Sequence, residues 1–306
     1  MASKPITKTA AIIVTYHPEL GILKKLVEAI SLQVDAVLVV DNGSKRMVID
    51  WLQHMKNEAA HVILLGANQG IAAAQNVGIN WAKERGAEFV LLLDHDSEPF
   101  DTMVENLLAA FDVKTNEGYQ VAAIGPYYQD SRREKLSPFV VIKGYQLTRI
   151  PCQKISNIME VDILISSGSL VRVDAIDAVG LMDEGLFIDY VDIEWTLRAR
   201  QKGFRCYGAC AAQMHHSLGE SPVDIFGRQF TFHTPLRHYY LFRNAIWMYK
   251  QSWVPFRFKV ADGTQLIFKY FFYSIFATPR YKHWQMMTRG IWHGLIGRMG
   301  KLQGRL

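Results

Sequence analysis

An apolar run from Phe89 to Leu93 ends in Asp94-His95-Asp96-Ser97, so two carboxylates stand two residues apart where a buried strand breaks into a loop. Side chains at i and i+2 of a strand share a face. Asp94 and Asp96 can therefore offer oxygens to one hard cation, which in turn can bridge to phosphate. The competing use is structural, a carboxylate capping the helix that starts near Phe100. A second acidic group, Asp189, Asp192 and Glu194, lies in the segment Phe187 to Arg198. The later part of that segment has a helical pattern that reaches Lys202 and stops at Gly203. Asp192 falls near the helix start, where the helix dipole favours the ionised form. Glu194 diverges from it by about 200° on the helical repeat and stands at i,i+4 spacing from Arg198, a structural ion pair.

The elements that must position these groups alternate. Apolar runs at Ala10–Thr15, Ala36–Asp41, His61–Leu65 and Phe89–Leu93 are separated by helical patterns over Leu20–Leu32, Ile71–Lys83 and Phe100–Phe111. Short buried runs separated by helices specify an α/β fold with a mostly parallel central sheet flanked by helices. Ligands of such sheets bind beyond the carboxyl ends of the strands, where Thr15, Asp41 and Asp94 all fall. Tyr127 to Ser156 has no sustained period and reads as a mobile connection or hairpin. Val161–Ile165 follows as a strand, Ser166–Ser169 as a polar turn and Val173–Val179 as a short helix.

The 306 residues are 49% hydrophobic, enough for one large domain or two modest ones. Cys152, Cys206 and Cys210 are few and lack a CxxC pair, which indicates neither a disulfide framework nor a zinc site and points to a reducing cytoplasm. No apolar secretory segment is evident at the N-terminus. The net charge of +5 hides an asymmetry: residues 1 to 227 hold 21 Lys and Arg against 28 acids, and residues 228 to 306 hold 13 against Asp262 alone. That basic tail is rich in Phe, Tyr and Trp, a composition suited to an anionic lipid surface. Its apolar stretch Gln265–Ala277 has 13 residues and includes Lys269, too short to span a bilayer, which takes roughly 20. It suits a helix lying in the membrane plane, or one packed on the catalytic domain or at a dimer interface.

Taken in order, Thr15-Tyr-His-Pro18, Val40-Asp-Asn-Gly-Ser44, Asn68 to Gly78, Leu93 to Pro99, Gly168, Phe187 to Arg198, His216 to Gly219 and Arg237 to Asn244 resemble family 2 glycosyltransferases. These are inverting enzymes of GT-A fold, and the chain is most similar to the bacterial rhamnosyltransferases of cell-surface polysaccharides. The resemblance spans roughly residues 8 to 245. It implies a catalytic domain over 1–245, with a donor half at about 8–125 and an acceptor half at about 157–220, and a helical extension over 246–306. Thr15, Tyr16 and Asp41 would flank the donor's base or ribose, with Asn68, Gly70 and Asn76 at the next helix start and Arg237 and Arg243 reaching a diphosphate. Asp96 and Asp94 would hold Mg²⁺ or Mn²⁺ against the leaving diphosphate. His216, rather than His215, is the candidate third ligand. Asp192 would be the base, although Val191 precedes it where the family commonly has Glu, so Asp189 and Glu194 stay open.

The donor so implied is dTDP-β-L-rhamnose, with UDP-galactose and UDP-GlcNAc as alternatives. The acceptor is a lipid-linked glycan of O-antigen-like, lipopolysaccharide-type synthesis. The expected location is cytoplasmic, peripheral at the inner face of the cell membrane, with no nucleic acid as partner. Structural uses compete at three positions: Asp41 as a turn former, Asn68 as a helix cap and Gly70 as a packing glycine. A Rossmann oxidoreductase is disfavoured because no GxGxxG follows the first strand. An aspartyl phosphatase would place its acidic pair after the first strand, not the fourth. The remaining non-enzymatic reading is a basic membrane- or nucleic-acid-binding protein on a degenerate scaffold.

Overall fold

A computed structural model describes residues 8–55, 60–130, 135–154, 157–216, 223–225, 228–230 and 233–304. The alternation begins with β1 (Thr9–Thr15), α1 (Leu20–Ser31), β2 (Ala36–Asp41), α2 (Arg46–Met55), β3 (His61–Leu64), α3 (Ile71–Lys83) and β4 (Phe89–Asp94). The strands β3, β2, β1 and β4 lie side by side and parallel. β1 is buried along its whole length, as a strand with helices on both faces must be. On one face α3 comes so close that a Cβ on Gly78 would stand 2.3 Å from Ile12 Cγ2. The Ala-rich sequence of α3 and this glycine permit that approach.

After β4 the chain forms β5 (Ser97–Pro99), α4 (Met103–Asn116), β6 (Val121–Asp130), β7 (Lys135–Ser137), β8 (Phe139–Lys143), β9 (Gln146–Ile150), β10 (Ile158–Val161), β11 (Leu170–Arg172) and α5 (Val173–Val179). A turn of 3-10 helix at Glu184–Leu186, then α6 (Val191–Gln201) and β12 (Arg205–His216), complete the catalytic face. Antiparallel β11 joins β4 to β6, and β6 runs parallel to β12, which β10 borders. Within the span 127–156, Tyr127 to Asp130 end β6, and residues 135–150 form β7 and the β8–β9 hairpin, the hairpin alternative of the sequence reading.

Three expectations differ. The strand expected at Val161–Ile165 ends at Val161, because the Asp162 and Ile163 amides turn from β12 to the Val140 carbonyl of β8, where the Asp162 carboxylate accepts the Ile142 N–H and pairs with Arg200, each at 2.6 Å. Cys152 and Cys210 are joined by a disulfide across 58 residues, with Cα atoms 5.8 Å apart, while Cys206 is free and buried. Strand pairing between β10 and β12 brings together cysteines whose spacing in the sequence carries no signal. The expected boundary at residue 245 falls inside a helix, α7 (Pro235–Lys250), which packs on α8 (Phe256–Phe276) and α9 (Arg280–Ile296). The apolar stretch expected at 265–277 takes up the second half of this 21-residue α8, with Ala277 as its C-cap. Among the described residues, no helix is long and apolar enough to cross a membrane.

Candidate active site

Register brings the strand ends together. Thr15 pairs with Asp41 and Val14 with Asp94, so the carboxyl ends of β1, β2 and β4 form one edge. Asp41 is fully buried, and its carboxylate accepts from Thr15 Oγ1 at 3.0 Å and from the amides of Gly43 and Ser44 at 3.1 and 2.9 Å. It therefore shapes the 41–44 loop, the turn-forming use. Tyr16, next to it, is exposed. Asn42 extends the construction by accepting the Gln69 N–H at 2.8 Å, and Asn68 Oδ1 accepts the Gly70 N–H at 3.0 Å. Asn42 was within reach of the Asp-Asn-Gly-Ser motif, yet sequence reasoning gave it no part.

Asp94 and Asp96 stand at the turn between β4 and β5, and both are partly exposed. The Asp94 amide donates to Ser167 Oγ at 3.3 Å, and Ser167 Oγ lies 2.7 Å from Ser97 Oγ, so buried serines brace both sides of the turn. Pairing of β5 with β12 sets His216 opposite Ser97, beside Asp96. The His216 side chain lies outside the described residues; the His215 ring packs on Phe100 at 5.0 Å between centroids. Among the described residues, no three His, Cys, Asp or Glu side chains cluster as a ready-made metal cage. Two carboxylates in one turn still fit a hard cation that takes its remaining oxygens from a diphosphate and water.

Across the edge stands the turn before α6. Phe187, Asp189 and Tyr190 all have left-handed backbone, with φ of 66°, 64° and 65°. Such conformations in bulky residues are unfavourable and persist only when surroundings impose them. Asp192 follows in the first turn of α6, and its Oδ1 accepts the Ile193 N–H at 2.9 Å. Burial pushes its carboxyl up to about 6, the nearby Ile193 and Asp192 amides oppose this, and the charges of Asp189 and Asp94 add to it. The last two causes set Asp189 and Asp94 within electrostatic reach of Asp192. A carboxyl near 6 is ionised at neutral pH yet basic enough to take a proton.

Asp189 accepts from Arg237 Nε and Nη2, both at 3.2 Å, while its Oδ2 is buried without a hydrogen-bond partner among the described residues. Glu194 is buried, and its two oxygens take Arg198 Nε and Nη2 at 2.6 and 2.8 Å. The same guanidinium donates to the carbonyls of Val179 and Leu181. That is the structural i,i+4 pair.

Three residues expected at the donor serve the scaffold instead. Arg243 is fully buried and spends its guanidinium on the carbonyls of Gly185, Leu186 and Gly300 and on Asn244 Oδ1. Every nitrogen of the guanidinium thus donates to the scaffold. Asn76 is buried and bonds Met182 through both its N–H and its oxygen, and Glu184 through its N–H. Gly70 is buried with φ of 96°, and a Cβ there would lie 2.6 Å from Phe187 O, which accepts the Ile71 N–H at 2.7 Å. The start of α3 is thereby docked on the turn that leads to Asp192.

The sheet edge thus carries an Asp-x-Asp turn with the Asp192 carboxylate within electrostatic reach of Asp94. Residues 11–179 match Glycosyl transferase family 2. The chain belongs to this family. It is a glycosyltransferase, and it is 36% identical over 253 residues to the dTDP-rhamnosyl transferase RfbF of Shigella flexneri, covering 82% of this chain and 83% of that one. It is 23% identical over 252 residues to the rhamnosyltransferase WbbL of Escherichia coli K12, covering 77% and 93%. Among solved structures it resembles GalNAc-T7 with UDP, GalNAc and Mn²⁺, with a TM-score of 0.59 at 12% identity over 95% of this chain and 56% of that one. It also resembles S. aureus TarS 1–349 in complex with UDP-GlcNAc, with a TM-score of 0.52 at 18% identity over 80% and 68%. The expected GT-A architecture is the observed one.

Proposed function

We propose that the family 2 glycosyltransferase moves L-rhamnose from dTDP-β-L-rhamnose, with inversion, to a hydroxyl of a lipid-linked glycan in cell-surface polysaccharide synthesis. The observation that carries the choice of sugar is the 36% identity with a dTDP-rhamnosyl transferase over 82% of the chain. In this reading the donor's base lies on the loops at Tyr16, Asn42 and Asn68, and its diphosphate lies toward Asp94 and Asp96. When bound there, Mg²⁺ or Mn²⁺ supplies Lewis acidity to the departing diphosphate. The Asp192 carboxylate takes the proton of the acceptor hydroxyl as that oxygen forms its bond to the anomeric carbon. The bond from that carbon to the phosphate oxygen breaks on the opposite face, and dTDP leaves as the anion. Asp189, held by Arg237, lines the acceptor side. Titration calorimetry with Mn²⁺ tests the donor: dTDP-rhamnose binds more tightly than UDP-GlcNAc or UDP-galactose. Preference for a UDP-sugar overturns the choice of rhamnose.

The same reading places the protein peripherally on an anionic membrane. Ile267, Phe268, Phe271 and Ile275 on α8 and Tyr281, Trp284, Trp292 and Leu295 on α9 are exposed, and a Tyr270–Thr288 hydroxyl bond of 2.8 Å ties the two helices. Exposed aromatic faces on a strongly basic segment suit the headgroup region of a bilayer. The expected outcome is co-sedimentation with vesicles containing phosphatidylglycerol, lost on Phe268→Glu with Phe271→Glu. A salt-stable dimer in ultracentrifugation that leaves vesicles unbound would contradict this and assign the face to a second copy.

A further inference from the structure

We propose that Asp262, the single acid of residues 228–306, is a positioning residue for the turn that carries Asp189 and Asp192. This rests on the transferase reading of that turn. Three left-handed residues in four, none of them glycine, cannot hold themselves and need outside contacts. Helix α7 supplies one set: Asn244 Nδ2 donates to the carbonyls of Leu186, Ile188 and Asp189 at 2.9, 2.8 and 2.8 Å. Helix α8 supplies another through Asp262, whose Oδ2 accepts from Tyr190 OH at 2.6 Å. Tyr190 is both the last left-handed residue and the residue before α6, and its carbonyl accepts the Glu194 N–H at 2.8 Å. Fixing its ring thus fixes the angle at which α6 and Asp192 enter the site.

A carboxylate in this place demands explanation. Asp262 and Tyr190 are both buried, and Tyr190 packs with Phe242, Phe258 and Leu266 in an apolar cluster. Buried charge is unfavourable unless it is hydrogen-bonded, and an apolar residue would often serve stability as well or better. Two phenols satisfy it, since Tyr249 OH on α7 donates to the same oxygen at 2.6 Å. Burial, with the charge of Asp262 second, holds both phenols above their ordinary range, so they remain donors at working pH. The two tyrosines divide the labour. Tyr249 joins α7 to α8, whereas Tyr190 joins the catalytic turn to α8.

That division supplies the test. With the full chain, Mn²⁺, dTDP-rhamnose and a lipid-linked glycan acceptor, dTDP release is measured alongside the thermal midpoint and the hydrogen exchange of amides 187–194. For Tyr190→Phe, kcat falls roughly ten- to a hundred-fold at unchanged donor KM, the scale of a catalytic group displaced by about an ångström, and exchange in 187–194 speeds up. Tyr249→Phe leaves kcat and that exchange near wild type, although it loses a bond to the same oxygen. Asp262→Leu folds and loses kcat, and Asp262→Asn, which keeps an acceptor oxygen, recovers most of it. Equal behaviour of Tyr190→Phe and Tyr249→Phe in both kcat and exchange overturns the positioning role. If the wild-type chain releases no dTDP, the transferase reading fails by itself, and the exchange comparison still decides whether Asp262 holds the turn.

Discussion

Asp192→Asn lowers kcat for transfer by about 10²–10⁴, the usual contribution of a positioned general base, while the affinity for dTDP-rhamnose in calorimetry is unchanged. The amide preserves shape and can still accept the Ile193 N–H, but it cannot take a proton from the acceptor. The wild-type rate carries the signature of the same group. With a carboxyl near 6, kcat/KM rises through that pH and is flat above it; at one unit below, only about one part in ten of the base is ionised. The substitution flattens this limb. Stability moves the other way: because folding raises this pKa, the ionised group weakens the fold as pH rises from the ordinary carboxylate range through about 6. Asp192→Asn therefore melts higher than wild type at neutral pH and has the same midpoint at low pH. An inactive variant that is also less stable at neutral pH would contradict this account of Asp192.

Asp96→Ala, or chelation of the wild type with EDTA, abolishes turnover to below about one part in 10², since charge stabilisation of a leaving group is commonly worth that much or more. Mn²⁺ restores the chelated wild type and leaves Asp96→Ala inactive. The expectation follows from the turn itself. Asp94 and Asp96 bracket a reversal braced by Ser97 and Ser167, and the charge of Asp94 reaches Asp192. Loss of donor binding in Asp96→Ala separates it from Asp192→Asn, which binds donor and fails to transfer. Full activity in EDTA would remove the cation from the mechanism.

Much of the sheet was legible because its signal is local. The runs that became β1, β2 and β4 are uninterrupted and apolar, and α3 occupies the expected Ile71–Lys83. Helix α2 went unread, and so did β12, where Gly208, Ala209, Ala211 and Ala212 replace the β-branched residues that announce a strand. The strand there is imposed by its neighbours β6 and β10. At the site, the strand pattern placed Thr15, Asp41 and Asp94 at one sheet edge, as register does, and the i,i+4 spacing anticipated the Glu194–Arg198 pair. Arg243 and Asn76 were not separable from ligand-binding residues by type alone. Only partners 58 and 106 positions away, Gly185 and Met182, reveal them as braces. Asp262 was visible as the lone acid of a basic tail, but its reason is a tyrosine 72 residues earlier.

The most direct measurement of the central claim is the anomeric configuration of the product. Wild-type chain with dTDP-β-L-rhamnose, Mn²⁺ and lipid-linked glycan is followed by ¹H and ¹³C nuclear magnetic resonance through the first turnovers. Attack by an acceptor oxygen deprotonated by Asp192, opposite a diphosphate held at Asp94 and Asp96, gives the α-L-rhamnoside. A β-L-rhamnoside, or no rhamnoside at all, would contradict it.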